Sequence, residues 1–352
     1  MSNPVSEAVP KPYEWRSLIG ELTARRDLDA EATNWVGAEI VTGAAHPIAV
    51  AGFLAALRTK GETTEELHGM VRALLDHGRA VGAPDDAVDI VGTGGDGSGL
   101  MNVSTLAGIV AAGAGLRVVK HGGRAASSRT AGSADLAEGL GLPLDLNPTE
   151  AERRIVRHRF AYLFAPQFNP GLRHAVDARR HLGVPTVFNL AAPLLNPARP
   201  RRMVIGVADR TKAPLVAEVM ARLGRTGVVV SGGDGLDKAS TTLPSDLWLV
   251  RATGVTEVQL DPTALGITAP RLAELRGGDV RTNVAIARAV LAGRPGPRRD
   301  IVVLNAALLL CAQTLDPDRL IAQLGDAMAR AEAAIDSGAA TAVLETATRV
   351  VS

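Results

Sequence analysis

The chain has 352 residues, 46% of them hydrophobic and 21% charged, with 38 basic side chains against 37 acidic ones. That length suits about two domains of roughly 150 residues, or one large α/β unit, and buries a sizeable core without covalent staples. A net charge of +1 supplies no overall field for nucleic acid or membrane, and the single cysteine, Cys311, excludes a disulfide scaffold and any paired-cysteine metal site.

In chain order, residues 1–14 carry prolines and no apolar core segment, so they read as a disordered tail and not a signal peptide. Asp29 then precedes an apolar-periodic stretch through Trp35, Val36 and Ile40, and Pro47 opens another at the first helical position. Thr63 and Glu66 form a capping box ahead of Leu67, Met70, Val71, Leu74 and Leu75. No strand pattern occurs between Trp15 and Ala80, so residues 15–84 are expected to be helical.

From Val88 the pattern changes to short apolar runs separated by helices. Strands are expected at Asp89–Gly92, Leu116–Lys120, Tyr162–Phe164, Met203–Val207, Val228–Ser231, Asp246–Arg251 and Val255–Leu260, with helices such as Asn102–Gly113 and Ala213–Leu223 between them. Asn147, Pro148 and Glu150 signal a further helix over Pro148–Arg159, and residues 148–183 are assigned with 15–84 to a helical domain. Residues 86–147 and 184–352 are left for an α/β domain. The run Ile301–Leu310 falls short of the about 20 apolar residues that span a bilayer, and Cys311 behind it reads as a buried small hydrophobe. Two or three helices, including Pro317–Ile335, close the chain. The expected class is α/β: a small all-helical domain and a larger domain around a central mixed, mostly parallel sheet. The expected compartment is a reducing one, the cytoplasm.

The most informative stretch is Asp89–Gly99, in which a strand runs into five glycines within eight positions, followed by Asn102, Ser104 and Thr105 at a helix start. Glycines let a backbone turn and bring bare N–H groups to a ligand, and a helix N-terminus adds free donors and partial positive charge. Gly92, Gly94 and Gly97 match G-x-G-x-x-G, yet the next strand ends in Lys120 and His121 where a dinucleotide site needs an acid. No Gly-Lys-Ser/Thr occurs in the loop. Asp96 would repel a bare pyrophosphate, so it suits a hydroxyl or metal-bound water, and the loop fits a metal-chelated pyrophosphate on a sugar. Lys120, with Gly122, Gly123, Ser127, Ser128 and Ser133, offers further phosphate donors at the same sheet edge. Asp234 and Asp237, three apart on a glycine-rich loop, suit either Mg²⁺ or a locally hydrogen-bonded turn.

Together these segments resemble the anthranilate phosphoribosyltransferase family. The resemblance rests on Asp89–Gly97 with Asn102, Ser104 and Thr105; Lys120–Gly122 with Arg124; Gly132–Asp135; and Leu163–Pro166 with Arg173-His174. It continues through Phe188–Leu190, Pro193-Leu194, Asn196-Pro197, Gly235–Asp237, Asn283, Arg299-Asp300 and Asn305-Ala306. The resemblance implies a homodimer that joins phosphoribosyl pyrophosphate to an aromatic carboxylate amine with Mg²⁺. It implies that Gly92, Thr93, Gly94, Gly95, Asp96 and Gly97 wrap the donor and that Asn102, Thr105 and Lys120 bind its phosphates. Ser104 and Asp237 would help hold Mg²⁺, Arg173 would clamp the acceptor carboxylate, and Arg173, Lys120 and His121 would be the catalytic side chains.

This chain departs from the family pattern at several places. His121-Gly122-Gly123 replaces His-Gly-Asn, the serine-rich loop has an extra residue around Arg129–Ala131, Asn169 replaces a histidine, and Ala191-Ala192 replaces Leu-Gly. These changes leave a non-standard aromatic acid open as acceptor. Asp237-Lys238 replaces Asp-Glu, a change in which each unit charge pair at about 4 Å is worth roughly 4 kcal/mol at an effective dielectric near 20. Lys238 must point away, contact pyrophosphate, or abolish that metal site. A nucleic-acid-binding paralogue, suggested by Arg153, Arg154, Arg157, Arg179 and Arg180, and a nucleoside phosphorylase-like enzyme are the alternatives.

Overall fold

Four helices open the described chain: α1 (Trp15–Thr23), α2 (Ala30–Val41), α3 (Pro47–Lys60) and α4 (Thr64–Asp76). The computed structural model describes residues 13–124 and 131–349, so nearly all of the expected tail lies outside the described residues. Asp29 accepts the Ala32 N–H at 2.7 Å and starts α2, while Pro47 occupies the first turn of α3. The capping box forms at α4: Glu66 accepts from Thr63 N at 2.9 Å and Thr63 Oγ1 accepts from Glu66 N at 3.3 Å. Glu66 is itself buried, and its carboxylate also takes the Lys60 ammonium at 2.9 Å and the Leu28 N–H at 2.9 Å. A buried charge with partners on every side stabilises one arrangement of these helices, because removing any partner leaves it uncompensated.

The remainder builds a seven-stranded sheet with the order β3-β2-β1-β4-β5-β6-β7. The elements in sequence are β1 (Ala87–Gly92), α5 (Val103–Gly113), β2 (Arg117–Gly122), α6 (Ser133–Gly139), α7 (Pro148–His158) and β3 (Phe160–Phe164). After short helices α8 (Ala165–Phe168), α9 (Val176–Leu182) and α10 (Val187–Ala191) come β4 (Arg202–Gly206), α11 (Ala213–Arg222), β5 (Thr226–Gly232), β6 (Ser245–Arg251) and β7 (Gly254–Leu260). Neighbours from β3 to β5 are parallel; β6 and β7 run antiparallel. All seven expected strands form, each within two residues at its start. The edges are β3 and β7, and β7, unlike β1, β4 and β5, leaves Thr256, Glu257 and Gln259 exposed.

The central strands are buried on both faces, as their unbroken Val/Ile runs require. Four helices close the chain, one more than expected at most: α12 (Val280–Leu291), α13 (Pro297–Cys311), α14 (Leu320–Asp336) and α15 (Ala339–Ala347). The apolar run Ile301–Leu310 lies in α13 against the sheet, and Cys311 is buried, its Sγ 3.0 Å from Ala307 O. Burial pushes this thiol up to about 12. The segment 148–183 divides. Helix α7 does form behind its Asn147–Glu150 capping box, but Ala151 and Ile155 pack with Ala161 and Leu163 of β3 on the sheet. Only the later part, with Ala175 and Ala178, joins the helical core. Helix α7 thus packs with the edge strand β3 and not with the first four helices, because a helix feeding straight into a strand has to pack where that strand lies.

A polar wedge interrupts the sheet between β1 and β2. Their ladder is confined to Ala87 against Arg117 and Val88 against Val118. Beyond it Asp89 Oδ1 accepts the His121 N–H at 3.3 Å, and Asn196 donates to Asp89 Oδ2 at 2.8 Å and Val119 O at 2.7 Å. These groups are buried, so every lost partner leaves an unsatisfied atom away from water. Asn196→Ala is expected to destabilise the fold by about 2–4 kcal/mol in urea unfolding, with the slope unchanged. A loss under about 0.5 kcal/mol would show that water replaces the amide at no cost.

Candidate active site at the carboxyl edge of the sheet

The strand order reverses at β1, which has β2 on one side and β4 on the other. In open α/β sheets this reversal leaves a crevice beyond the carboxyl ends of the strands, where ligands bind. Gly92 and Gly206 end β1 and β4 side by side. The loop after β5 folds back over both: a Cβ at Gly206 would lie 1.6 Å from the Asp237 carbonyl oxygen, and one at Gly92 would lie 2.1 Å from Asp237 Oδ2. Any side chain at either position would push the loop off. Asn305, the one amide in the apolar run of α13, pins that loop by accepting from Ala239 N and donating to Ala239 O, both at 3.0 Å.

Between β1 and α5 the backbone takes positive φ at Gly94 (67°), Gly95 (77°), Gly97 (62°) and Gly99 (65°). Gly94, Gly95 and Gly97 also have open space where a Cβ would stand. Their conformation needs glycine, and their bare surface gives a ligand access to backbone. The loop is held at both ends. Thr93 N donates to Gly206 O at 2.9 Å, and Gly94 N donates to Asp237 Oδ2 at 2.8 Å. Asp96 Oδ1 accepts from Ser98 N at 3.0 Å and Ser98 Oγ at 2.8 Å.

Lys238 does not point away. Its ammonium bridges Asp96 Oδ2 at 2.6 Å and Asp237 Oδ1 at 2.5 Å, joining the two loops. Burial opposes ionisation of Asp96, but the Lys238 charge and the Ser98 hydrogen bonds outweigh it and hold the carboxyl at about 2. Burial also opposes the charge on Lys238, and the two carboxylates more than compensate, raising its pKa. Asp237 is pushed up, by burial first, with Lys238 acting against that shift. The Asp96 oxygens are engaged by Ser98 and Lys238, so a substrate hydroxyl or metal-bound water would have to share them. Asp234 turns elsewhere and accepts from Ser240 Oγ at 2.8 Å, the local turn role.

Other expected site residues sit at the same edge with varied availability. Lys120 is 1% exposed and donates to His121 O at 2.9 Å, beneath the loops rather than at the cleft surface. Burial lowers its pKa, with Asp89 and Asp237 opposing the shift. A phosphate contact by Lys120 would require its ammonium to exchange the bond to His121 O. Asn102 is likewise spent, donating to Ala131 O at 2.8 Å and accepting from Asn283 Nδ2 at 2.8 Å. In the first turn of α5, Ser104 is half-buried, and Thr105 is fully buried with no partner for its hydroxyl. Ser133 Oγ lies 2.8 Å from Tyr162 Oη and donates to Gly123 O at 3.2 Å, and a Cβ at Gly122 would meet both hydroxyls. Ser127 and Ser128 lie outside the described residues. Arg173 follows β3 and α8 on a short 3₁₀ turn, exposed, with a 3.4 Å bond to Pro170 O among the described residues. Ser98, a support for Asp96, and Asn305 were not singled out from residue chemistry; Asn305 carried a readable signal as a lone amide in an apolar helix.

Mg²⁺ is held by one or two carboxylates plus substrate phosphates. Among the described residues no group of three or more His, Cys, Asp or Glu side chains is placed to hold a metal. The two carboxylates that do converge, Asp96 and Asp237, converge on Lys238, so the residues as they stand do not fit a divalent ion between them. Of the α5 hydroxyls, Thr105 is fully buried and Ser104 half-buried, so Ser104 is the one that could reach an ion arriving already bound to a diphosphate.

His121 is buried, and its Nε2 has no partner. Burial, with Lys120 and Arg225 nearby, pushes the imidazole down to about 3. The folded chain therefore excludes a proton that unfolded histidine accepts below about pH 6.5, and stability falls as pH drops through that window. The unfolding free energy of the wild type, relative to His121→Gln, is expected to fall by about 2 kcal/mol between pH 7 and pH 5. Parallel profiles would mean that the folded imidazole takes up the proton.

The chain matches the model of the glycosyl transferase family helical bundle domain over residues 16–78 and that of the family's a/b domain over residues 84–341. It is 48% identical over 332 residues to the anthranilate phosphoribosyltransferase of Arthrobacter sp. (strain FB24), covering 94% of each chain. The crystal structure of anthranilate phosphoribosyltransferase from Thermus thermophilus superposes with a TM-score of 0.87 at 38% identity, over 94% of this chain and 98% of that one. The Saccharomyces cerevisiae enzyme in complex with PRPP and Mg gives 0.84 at 29% identity, over 94% and 96%. The same yeast enzyme in complex with 4-fluoroanthranilate gives 0.84 at 28%, over 95% and 96%. A helical bundle joined to this sheet, a glycine cradle at its switch point and likeness along nearly the whole length together place the chain in the anthranilate phosphoribosyltransferase family.

Proposed function

We propose that the chain transfers the phosphoribosyl group of phosphoribosyl pyrophosphate to the amine of anthranilate or a related aromatic acid. The bond from the anomeric carbon to pyrophosphate breaks, a carbon–nitrogen bond forms, and the nitrogen gives up one proton. The observation that carries this reading is the open glycine backbone at the switch point, facing the N-terminus of α5. The yeast relative's complex with PRPP and Mg supports the donor, and its complex with 4-fluoroanthranilate supports the acceptor.

Mg²⁺ carried on the donor's diphosphate would neutralise leaving-group charge, and the Ser104 hydroxyl would help to hold it. Backbone N–H groups of Gly95–Gly97 take phosphate oxygens, the Gly94 N–H being held by Asp237. Lys120 adds buried positive charge behind them, where low dielectric makes it count. An arylamine is neutral and keeps its lone pair at pH 7, so the site needs orientation more than a strong base. His121, neutral across that range, adds no charge to the site. Exposed Arg173, with a planar fork of donors, clamps the acceptor carboxylate.

A homodimer in the cytoplasm completes the reading. No described helix is long and apolar enough to cross a membrane. The nucleic-acid alternative gains no support from the basic clusters. Arg154 is buried and donates to Ala347 O at 2.7 Å, Arg179 lies 5.4 Å from the Phe188 ring, and Arg180 pairs with Asp177 at 2.8 Å.

Mixing the protein with phosphoribosyl pyrophosphate, Mg²⁺ and anthranilate is expected to quench anthranilate fluorescence and release pyrophosphate in equal amount. Neither signal, with anthranilate or a panel of substituted benzoates, would overturn the reading. Arg173→Ala is expected to raise the acceptor KM by about tenfold or more, the loss of a charged hydrogen bond, with the donor KM held within about twofold. Equal rises in both would remove Arg173 from the acceptor site.

A further inference from the structure

Lys238 lies where the turn after β1 and the turn after β5 meet. Asp96 belongs to the turn after β1 and Asp237 to the turn after β5, 141 positions later in the chain, yet both aim a carboxylate oxygen at one ammonium. The three side chains are only 15%, 11% and 12% exposed, so the charges are drawn well out of water. Two carboxylates facing each other beside a diphosphate cradle need a counter-charge, because like charges at this range repel each other and the incoming ligand. A divalent ion drawn from solution would serve. Lys238 serves instead, as a cation that is covalently attached.

We propose that the Lys238 ammonium is the built-in cation of the donor site, standing between Asp96 and Asp237 in place of a divalent ion. The only divalent ion the site takes up is then the one that the diphosphate carries. The proposal rests on the phosphoribosyl reading for its ligand, but its first consequence does not involve the ligand at all. Lys238, itself in the turn after β5, also ties the glycine turn to that turn through its salt bridge to Asp96, so the cradle keeps its two walls together before any metal arrives. Asp237 has its other oxygen committed to the Gly94 N–H, and Asp96 has its other oxygen committed to Ser98. With those lone pairs spent, a metal would have to displace the ammonium to gain either carboxylate.

The test counts Mn²⁺ bound to the whole protein by electron paramagnetic resonance, with and without saturating phosphoribosyl pyrophosphate. Wild type alone is expected to bind no Mn²⁺ at submillimolar concentration, and one per protomer with the donor present. Lys238→Met and Lys238→Glu, each checked for a cooperative thermal transition, are expected to gain one Mn²⁺ without donor and to reach two with it. Wild type that binds Mn²⁺ without donor, or two ions with it, would overturn the proposal, whether or not either variant folds. A folded variant that gains no ion would overturn it equally. Failure of the donor to bind at any metal concentration would instead sink the phosphoribosyl reading, while the donor-free count would still decide the role of Lys238.

Discussion

The backbone crossing of Asp237 over the ends of β1 and β4 governs the site. Two neighbouring strands end in Gly92 and Gly206, and only the lack of a side chain at both lets the loop after β5 lie on them. That contact brings a residue from the far half of the sheet to the turn after β1. It supplies the acceptor for the Gly94 N–H and, through the next residue, the bridge to Asp96. The cradle is thus a joint product of two turns and not a property of the glycine-rich turn alone. Behind it, Asn305 fixes the crossing loop from α13 and Asn196 fixes β1 against β2. The two amides hold the floor in place from opposite sides.

Electrostatics at the edge follow from burial. Lys120, His121 and Asp89 all lie beneath the cradle, and removal from water disfavours the charged form of each. The imidazole remains neutral, whereas Asp89 keeps hydrogen bonds from Asn196 and His121 that favour its ionised form. Polar groups placed so deep act by shaping the field and the strand ends. Groups meant to touch ligand, such as the open glycines and Arg173, stay at the surface. This separation accounts for why Lys120 and Asn102, side chains chemically suited to phosphate, are instead engaged inside the protein.

Much of the fold was legible in residue order because local signals agreed with the global arrangement. Thr63 with Glu66, Asn147 with Glu150 and Asp29 all cap helices by the bonds their spacing suggested. The buried strands announced themselves as Val/Ile runs, and the turn after β1 as a density of glycines no ordinary turn needs. What stayed hidden was long-range. Nothing near Pro148 says that its helix covers the sheet and not the helical bundle. Spacing likewise does not say that Lys238 reaches a residue 142 positions earlier. Residue chemistry showed that an ammonium beside Asp237 demanded an explanation, and three remained open until the strand order put Asp96 opposite it.

The turn to antiparallel pairing at the far side of the sheet has its own consequence. Strands β1, β4 and β5 could template another strand if one of them were the rim, since they are apolar on both faces. The hairpin instead hands the boundary to β7, whose Glu257 takes the Arg210 guanidinium at 2.8 Å while Thr256 and Gln259 face water. A rim dressed in charge and amide groups is a poor template for edge-to-edge growth. The hairpin that ends the parallel run thereby guards this side of the sheet against edge-to-edge growth, while the opposite rim is the apolar strand β3.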